Sequence, residues 1–524
     1  MTVPPATDRE PKTASVRRFR GSRATDAAII GVIGFLVAVA FSWVPSVWFD
    51  EAATITAATR SWGDLARMLG SIDLVHAVYY AFMHVWFDVV PYSPFTLRLP
   101  SAVFTGLAAA LLVQLTRSLA SRRAAILAGL TFILLPRVTW MGEEGRSFAF
   151  GTVLAVLLTL VFLAAWRRGA EPRGVRARWW TLYALLAVLS TGVFLYLALL
   201  VVAHGVTAAW TFLARRNATA RAGLLGWLWA SVAAGAVLIP FVLGVVSQSK
   251  QVSWIKPIGL RTVGDVVVWQ WFALNPAFAA VGWALVLTGV VLVLRRVKHT
   301  PDAAAPPTAS AAGPTLLAVA VPWIVVPTLG LIAASLLISP LYSPRYLTFG
   351  APAIALLMGV ALGAIRHTWL TAVALLALVA LAAPQYVAQR LPEAKQNSSW
   401  NEVADLVAAE RAASPTEADA VIFGPVRQHP SATARIISLA YPDAFTGMLD
   451  VKLKTSAAAA GTLWEKEYPI AEVTDRLAAI DEVWLVTSDK QDWRPSITEK
   501  LSVLGYRLQT EWNLTGVNVL RYVR

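Results

Sequence analysis

Two adjacent carboxylates, Asp50 and Glu51, follow one of the most apolar segments of the chain, in the stretch VPSVWFDEAATITAATRSWGDL. A carboxylate at the exit of a membrane helix can accept the proton of an attacking hydroxyl group as a general base. The alternative is structural, because acidic residues in the first turn of a helix through EAATITAATRS complement its dipole. Adjacent helical residues diverge by about 100°, so at most one of the two is expected to face a substrate.

Two other boundaries carry ionisable groups of the same kind. The stretch LPRVTWMGEEGRSFAF contains Glu143, Glu144 and Arg146, and ISPLYSPRYLTFG contains Arg345 close to Tyr342. Glu143 and Arg146 have the i,i+3 spacing, which also predicts a local salt bridge as the alternative to a substrate contact. Both stretches therefore extend the candidate site beyond the first pair of acids.

The stretches SIDLVHAVYYAFMHVWF and SKQVSW add His76, Tyr80, Lys250 and Trp254 as candidate binding residues. A metal site is an alternative for His76 and His84, but no further ligands occur at a matching spacing. Anchoring of aromatic and polar side chains in the lipid headgroup region is favoured instead, and no metal is expected.

Together these residue types suit the transfer of a sugar from a lipid-linked phosphate. Arg binds phosphate through paired hydrogen bonds, and Lys binds it as a point charge. Aromatic rings offer their faces to a sugar, and a carboxylate can deprotonate the acceptor hydroxyl. No P-loop signature for a nucleotide is evident, and the sequence has no cysteine, which excludes thiolate catalysis and disulfide bonds.

Membrane helices must position these residues, because 57% of the 524 residues are hydrophobic and only 15% are charged. This composition indicates an α-helical polytopic membrane protein. The formal charge of +14 is explained by Arg- and Lys-rich cytoplasmic loops rather than by nucleic-acid binding. The first apolar run, 27–44, is long enough to span the bilayer and is interpreted as a retained helix, not a signal peptide.

Apolar runs predict about eleven transmembrane helices. They lie near residues 26–45, 98–116, 123–138, 148–166, 179–194, 195–213, 223–246, 277–294, 314–338, 344–364 and 368–388. The shorter run 77–90 is expected to be interfacial or re-entrant, because all the basic clusters then fall on the cytoplasmic side. This topology places the N-terminus in the cytoplasm, and the candidate site and C-terminus outside the plasma membrane of a bacterium.

The predicted organisation has three parts. They are a cytoplasmic N-terminal tail (1–25), a transmembrane domain (26–390) with outer loops 46–97 and 247–276, and a C-terminal extracytoplasmic domain (391–524). In the last part ADAVIFG, DEVWLVTS and GVNVLRYV predict strands, whereas NEVADLVAAERAA and AEVTDRLAAI predict helices, so a small α/β domain is expected. The stretch 300–314 is predicted to be a flexible cytoplasmic linker.

Five motifs, SVWFDEA, DLVHAVYYAFMHVWF, TLRLPSAVFTGL, GEEGRSFAF and YSPRYLTFGAPAIALL, resemble the GT-C glycosyltransferases of the protein O-mannosyltransferase and lipid A aminoarabinose transferase type. More closely, the chain looks like the actinobacterial mannosyltransferases that use polyprenyl-phosphate mannose and carry a C-terminal extracytoplasmic domain. The resemblance covers residues 26–390. It implies a GT-C-like fold and an inverting transfer without metal or other cofactor, in which polyprenyl phosphate is the leaving group.

The resemblance also assigns roles to residues of this chain. It implies that Asp50 is the general base, with Glu51 as its neighbour. The phosphate contacts are inferred from the residues themselves: Arg345 and Lys250, as cations on the outer side, are expected to bind the donor phosphate, and Arg146 is expected either to do so or to orient Glu143. Other substrate contacts are expected from Glu143, Glu144, His76, Tyr80, Tyr342 and Trp254. The stretch DLVHAVYY lacks the prolines of the more usual HPPLYY, and GEEG has two acids where some relatives have one Asp, so the roles of His76 and of the two glutamates stay open.

The expected acceptor is a cell-envelope glycan, glycolipid or protein, and the expected sugar, by resemblance, is mannose. An arabinosyltransferase or another pentosyl- or hexosyltransferase with a polyprenyl-phosphate donor is an alternative. A transporter or flippase for lipids or small molecules is an alternative of another class, and it requires polar groups at the middle of the membrane. A non-catalytic scaffold would tolerate neutralisation of the outer carboxylates.

Overall fold

The computed structural model describes residues 13–298, 313–416, 418–426 and 429–524. Residues 300–312 of the predicted linker and residues 1–12 of the predicted N-terminal tail (1–25) lie outside the described residues. The described chain consists of a helical part followed by a small α/β part. The two parts meet around the start of the second helix, which carries Asp50 and Glu51.

Seventeen helices form the first part and are numbered here in chain order. They are α1 (Thr13–Val39), α2 (Phe49–Ala58), α3 (Trp62–Leu69), α4 (Ala77–Val89), α5 (Pro94–Leu119), α6 (Arg122–Leu134), α7 (Pro136–Met141), α8 (Phe148–Arg167), α9 (Arg173–Val193), α10 (Ala198–Arg215), α11 (Ala218–Ser247), α12 (Arg261–Gly264), α13 (Gln270–Phe272), α14 (Pro276–Lys298), α15 (Leu316–Leu337), α16 (Ala351–Gly363) and α17 (Thr368–Ala388).

Eight helices of the described chain are long and apolar enough to cross a membrane. They contain α5, α8, α10, α11, α14, α15, α16 and α17, in two cases with a preceding 3₁₀ turn. The three other predicted crossings correspond to α1, whose apolar part is short, to α6 with its 13 residues, and to α9 with its N-terminal arginines. The polytopic helical fold predicted from the sequence is confirmed.

Small residues allow the helices around the site to approach closely. At Gly106 of α5 an added Cβ would lie 2.6 Å from the carbonyl oxygen of Gly31 on α1, so only glycine permits this crossing. Such contacts between small residues are the usual means by which membrane helices pack, since apolar side chains gain little by leaving lipid. The crossing fixes α5, which carries Arg98, against α1.

The segment between α6 and α8 leaves the regular helical path. Leu135 has an extended backbone and Pro136 begins the short helix α7, as expected for a proline at the first position of a helix. The chain then passes through Gly142–Ser147 before α8 begins. This break directs Arg146 to α2 and sends the Glu143 side chain to a different partner, Arg390.

The α/β part contains a five-stranded sheet in the order β4-β1-β7-β9-β8. Its strands are β1 (Asp419–Phe423), β4 (Leu449–Asp450), β7 (Glu482–Ser488), β8 (Arg507–Leu514) and β9 (Val517–Val523), with β2 (Pro425–Val426), β3 (His429–Thr433), β5 (Leu453–Thr455) and β6 (Lys466–Glu467) in two small hairpins. β1 is parallel to β4 and β7, whereas β9 is antiparallel to β7 and β8. The helices are α18 (Trp400–Ala413), α19 (Arg435–Ala440), α20 (Ala457–Ala460) and α21 (Arg494–Val503).

The sequence predicts this part well except at one place. The three predicted strands correspond to the buried strands β1, β7 and β9, and the predicted helix NEVADLVAAERAA corresponds to α18. The predicted helix AEVTDRLAAI is wrong. The chain forms two short 3₁₀ turns there, because Val473 leaves the helical conformation and packs into the core with Leu477.

The α/β part holds the chain segment that leads into α2. The backbone N–H of Val47 donates a 2.9 Å hydrogen bond to the hydroxyl of Tyr441, and the ring of Phe49 lies 4.8 Å from that of Trp464. Further along, Arg60 Nη2 donates to the carbonyl of Thr462 at 2.6 Å. Both ends of α2 are therefore attached to the α/β part.

Candidate active site

Asp50 and Glu51 lie in the first turn of α2, where the sequence alternative of a helix N-terminus also places them. The two side chains diverge as adjacent helical residues must. The Asp50 side chain is 25% exposed, whereas that of Glu51 is completely buried. The structure thus gives the two neighbouring acids different surroundings.

Asp50 forms an ion pair with Arg345, a residue 295 positions away in the sequence. Arg345 Nη1 lies 2.8 Å from Asp50 Oδ2, and the Arg345 side chain retains 18% exposure. The guanidinium carbon also lies 5.0 Å from the ring centre of Trp254, which is itself more than half exposed. An accessible carboxylate, an accessible cation and an aromatic face therefore converge at one point.

Arg146 lies behind this pair and connects α2 to the segment before α4. Its Nη1 donates to the carbonyl oxygen of Asp50 at 3.0 Å and to the Tyr80 hydroxyl at 3.2 Å. Its Nη2 lies 2.8 Å from His76 Nε2. Burial, followed by the positive charges of Arg146 and Arg345, lowers the pKa of His76 well below its usual value, so the neutral ring accepts a hydrogen bond from Arg146.

The same chain of contacts ends at Asp73. The Tyr80 hydroxyl donates to Asp73 Oδ2 at 2.8 Å, and Asp73 has a left-handed backbone with a φ of 60°. Burial raises the pKa of Asp73, although the Arg146 charge and the Tyr80 hydrogen bond oppose the shift. Asp73, Tyr80, Arg146 and the Asp50 backbone therefore form one continuous polar row under the exposed pair.

Glu51 lies below this row and pairs with Arg98 of α5. Arg98 Nε and Nη2 contact the two carboxylate oxygens at 2.8 and 2.6 Å, and both side chains are fully buried. The remaining Arg98 donors bind the carbonyl oxygens of Ser42, Pro45 and Ser46. Burial alone would raise the pKa of Glu51, but the charges of Arg98 and Lys395 and the hydrogen bonds from Arg98 and the Gly145 N–H together outweigh it. The pKa is therefore lowered and the carboxylate stays ionised.

Lys395, just after α17, joins the two glutamates of GEEG to this pair. Its Nζ lies 2.6 Å from Glu144 Oε2 and 3.7 Å from Glu51 Oε1, and it donates to the Glu143 carbonyl oxygen at 3.0 Å. The other Glu144 oxygen accepts a 2.6 Å hydrogen bond from Trp48 Nε1. Glu144 is therefore fully engaged in the protein interior.

Glu143 faces Arg390, with 3.7 Å between Oε2 and Nη1. The local salt bridge predicted between Glu143 and Arg146 is wrong, because the bend after α7 sends the two side chains to different partners. Burial raises the pKa of Glu143 to about 7, since the charges of Lys395 and Arg390 compensate only in part. Glu143 and Glu144 contact neighbouring protein groups, not an open cavity.

Two predicted binding residues lie apart from the Asp50–Arg345 pair. Lys250 is exposed on the 3₁₀ turn Ser249–Val252. In the same turn, Gln251 accepts a hydrogen bond from the backbone N–H of Asp73. Tyr342 is buried, and its hydroxyl donates to Gln270 Oε1 at 2.9 Å. In the part of the chain that the structure describes, no three His, Asp or Glu side chains are grouped as a metal site requires.

The sequence reasoning missed three cations, Arg98, Lys395 and Arg390. Arg98 lies within the motif TLRLPSAVFTGL, where no acidic residue nearby in the sequence marks it as a charge partner. Lys395 and Arg390 follow the last predicted crossing, where the topology places them outside the cytoplasm. Cations there oppose the positive-inside trend, and this signal, which singled out Arg345, could also have found them.

Comparisons with known proteins support the fold. No protein-family model and no curated protein matches the chain. Among solved structures, ArnT from Cupriavidus metallidurans bound to undecaprenyl phosphate matches with a TM-score of 0.54 and 14% identity, over 97% of this chain and 98% of that one. The apo state of the same protein gives 0.54 and 12%, with the same coverage.

A second neighbour is more distant. The oligosaccharyltransferase AglB from Archaeoglobus fulgidus, in complex with an inhibitory peptide and a dolichol-phosphate, gives a TM-score of 0.46 at 12% identity, over 91% of this chain and 70% of that one. That score is below the level at which a shared fold follows. With the likeness to ArnT, the chain has the GT-C-like fold of a multi-pass membrane protein with a small C-terminal α/β domain, as predicted.

Proposed function

We propose that this protein is an inverting glycosyltransferase that moves a sugar from a polyprenyl-phosphate donor to a glycan, glycolipid or protein acceptor. The observation that carries the proposal is the accessible Asp50–Arg345 pair at the start of α2, in which a carboxylate able to act as a base lies beside a guanidinium able to bind phosphate. The likeness in fold to ArnT, solved with undecaprenyl phosphate, supports a lipid-phosphate donor.

In the proposed reaction, Asp50 takes the proton of the acceptor hydroxyl as its oxygen attacks the anomeric carbon. The bond between that carbon and the phosphate oxygen breaks on the opposite face, and the electron pair stays on the departing polyprenyl phosphate. Arg345 stabilises the phosphate charge. Only its Nη1 contacts Asp50, so further N–H donors of the guanidinium remain for phosphate oxygens.

Arg146 acts on the same centre from below. Its hydrogen bond to the Asp50 carbonyl fixes the first turn of α2, and its charge adds to the positive field beneath the phosphate. Neutral His76 and Tyr80 orient the guanidinium without cancelling its charge. These contacts support the proposed role of Arg146 better than that of Lys250, which lies on the exposed turn.

The finer features of the proposal rest on the sequence resemblance. Mannose is the proposed sugar, the reaction uses no metal or other cofactor, and the site faces away from the cytoplasm of a bacterial cell with the N-terminus inside. Trp254 beside Arg345 is suited to packing on a sugar ring. A transporter is not favoured, because within the eight described membrane spans no Asp or Glu occurs.

The test uses purified full-length protein, radiolabelled polyprenyl-phosphate mannose and an envelope glycan extract. Wild type should transfer label. The control variant Asp88→Asn, which neutralises an exposed acid of segment 46–97, should do the same. Asp50→Asn should bind the donor without transferring its sugar. Parallel reactions with polyprenyl-phosphate arabinose identify the sugar. If wild type binds neither donor, the proposed function is wrong.

A further inference from the structure

A cavity lies at the end of the helix bundle opposite to Asp50. It has a volume of about 930 Å³ and is formed by the beginnings of α9 and α11 and the turn between α10 and α11. The helix α8 separates it from the candidate active site, since α8 begins beside Arg146 and ends shortly before α9. Twenty residues of helix span about 30 Å, so the two sites are independent.

The mouth of this cavity carries one sign of charge. Four arginines line it: Arg173 and Arg176 on α9, Arg216 in the turn before α11, and Arg221 in the first turn of α11. Among the described residues that line the cavity, none is acidic. Arg176 donates to a carbonyl oxygen, and the other three side chains are exposed. α9 and α11 also begin here, so the positive ends of two long helix dipoles point the same way.

The deeper wall of the cavity is apolar. Trp180 lies two turns below Arg173 on α9, and Leu225 and Trp229 lie one and two turns below Arg221 on α11. From Arg221 to Trp229 the helix rises by about 12 Å, a distance that takes the wall from the headgroup region into hydrocarbon. Gly226 keeps the groove narrow at this depth, since an added Cβ would lie 2.1 Å from Trp180 Nε1.

We propose that this cavity binds a phosphate-bearing anionic lipid, with its headgroup on the arginines and its chain along Trp229 and Leu225. A positive-inside loop explains arginines at a membrane surface, but it does not require a cavity with arginines above and an apolar groove below. Basic pockets between membrane helices bind anionic lipid headgroups in this way. The amphiphilic wall favours a lipid over a soluble phosphate, whose binding would not involve Trp229.

The experiment measures phosphatidylglycerol bound to the full-length protein in phosphatidylcholine-containing micelles by native mass spectrometry. The triple variant Arg173→Gln/Arg216→Gln/Arg221→Gln should weaken this binding by on the order of a hundredfold, because each arginine near a charged lipid contributes about fivefold. Elution as a single species in size-exclusion chromatography and an unchanged Tm would show that the variant is folded. We expect it to fold, because all three side chains are exposed.

A matched control removes the same charge from exposed arginines at other helix ends, as Arg261→Gln/Arg295→Gln/Arg366→Gln. This control variant should bind phosphatidylglycerol like wild type. A separate variant, Trp229→Ala, keeps all the arginines and should weaken phosphatidylglycerol binding several-fold. Equal weakening by the triple variant and its control would overturn the proposal, as would no weakening by either. Displacement of the lipid by millimolar inorganic phosphate, with no effect of Trp229→Ala, would also overturn it in favour of a soluble anion.

Discussion

The exposed Asp50–Arg345 pair and the buried network around Glu51 use the same kinds of residue for different ends. Both contain a carboxylate from the first turn of α2 and a cation distant in the sequence. The exposed pair leaves oxygen atoms and N–H groups free to contact a substrate, whereas both carboxylate oxygens of buried Glu51 are hydrogen-bonded to Arg98. Exposure, and not residue type, therefore distinguishes the candidate catalytic acid from its neighbour.

The buried network contains as many acidic as basic side chains. Three carboxylates, Glu51, Glu143 and Glu144, face three cations, Arg98, Arg390 and Lys395. Burying a charge without its partner costs several kcal/mol, so the network stabilises the fold only as a complete set. Its position directly under the row of Asp50, Arg146 and Tyr80 makes it the support of the candidate site.

The largest expected effect follows from breaking the Glu51–Arg98 pair. Glu51→Gln keeps the shape of the side chain but leaves the Arg98 guanidinium buried without a counter-charge. We expect a loss of about 3–5 kcal/mol in stability, measured as a lower Tm in detergent and a lower yield of monodisperse protein. Asp88→Asn, which removes an exposed charge, is the control. A wild-type Tm for Glu51→Gln would contradict the structural role of this pair.

The raised pKa of Glu143 predicts a pH dependence of stability. The folded pKa of about 7 lies above the ordinary value of 4.5, so the folded state binds the extra proton. This contribution is complete below pH 4.5 and is lost as the pH rises through 7, a change of roughly 3 kcal/mol at most. In Glu143→Gln the Tm should vary less between pH 4.5 and 7 than in wild type. Identical pH profiles would show that Glu143 titrates normally.

Lys395 offers a smaller test of the same network. Lys395→Met retains the apolar stem but removes the donor to Glu144 and to the Glu143 carbonyl oxygen. Glu144 is left without its cation, but burial raises its pKa, so it can take up a proton instead of remaining an unpaired charge. The cost is then that of the lost hydrogen bonds to a charged group, about 1.5–3 kcal/mol. The Tm should fall by less than in Glu51→Gln, because Arg98 still neutralises Glu51. A larger fall would make Lys395, and not Arg98, the main partner of Glu51.

The smallest effect is expected for a change of geometry at the exposed pair. Arg345→Lys keeps the charge but loses the planar fork that suits phosphate, so the donor KM should rise about tenfold with little change in kcat or Tm. Arg261→Lys, which makes the same change at an exposed arginine of segment 247–276, should leave the donor KM unchanged. An unchanged KM in Arg345→Lys would remove Arg345 from phosphate binding.

Much of the fold could be predicted from the sequence, because membrane helices are read directly from apolar length and composition. The candidate site was predictable in part. Asp50, Arg146, His76, Tyr80 and Arg345 attract attention as polar groups at helix ends, and the structure brings them together.

The partners within the site were not predictable from spacing. Asp50 and Arg345 are 295 residues apart, and Lys395 reaches Glu144 across 251 residues, so only the packing of α2, α5 and the segment after α17 brings them into contact. Local spacing misled the prediction for Glu143 and Arg146, since an i,i+3 pair requires a continuous helix and the chain bends there.

The different roles of the two adjacent acids are tested most directly with the variant Asp50→Asn. The variant is first loaded with labelled polyprenyl-phosphate sugar, and the rate of sugar transfer is then measured in a single turnover. The Tm is measured on the same sample. We expect an unchanged Tm and donor binding at least as tight as in wild type, because a negative charge beside the phosphate is removed. The transfer rate should fall by about 10²- to 10⁴-fold, as for loss of a general base. A transfer rate close to that of wild type would contradict the central role of Asp50.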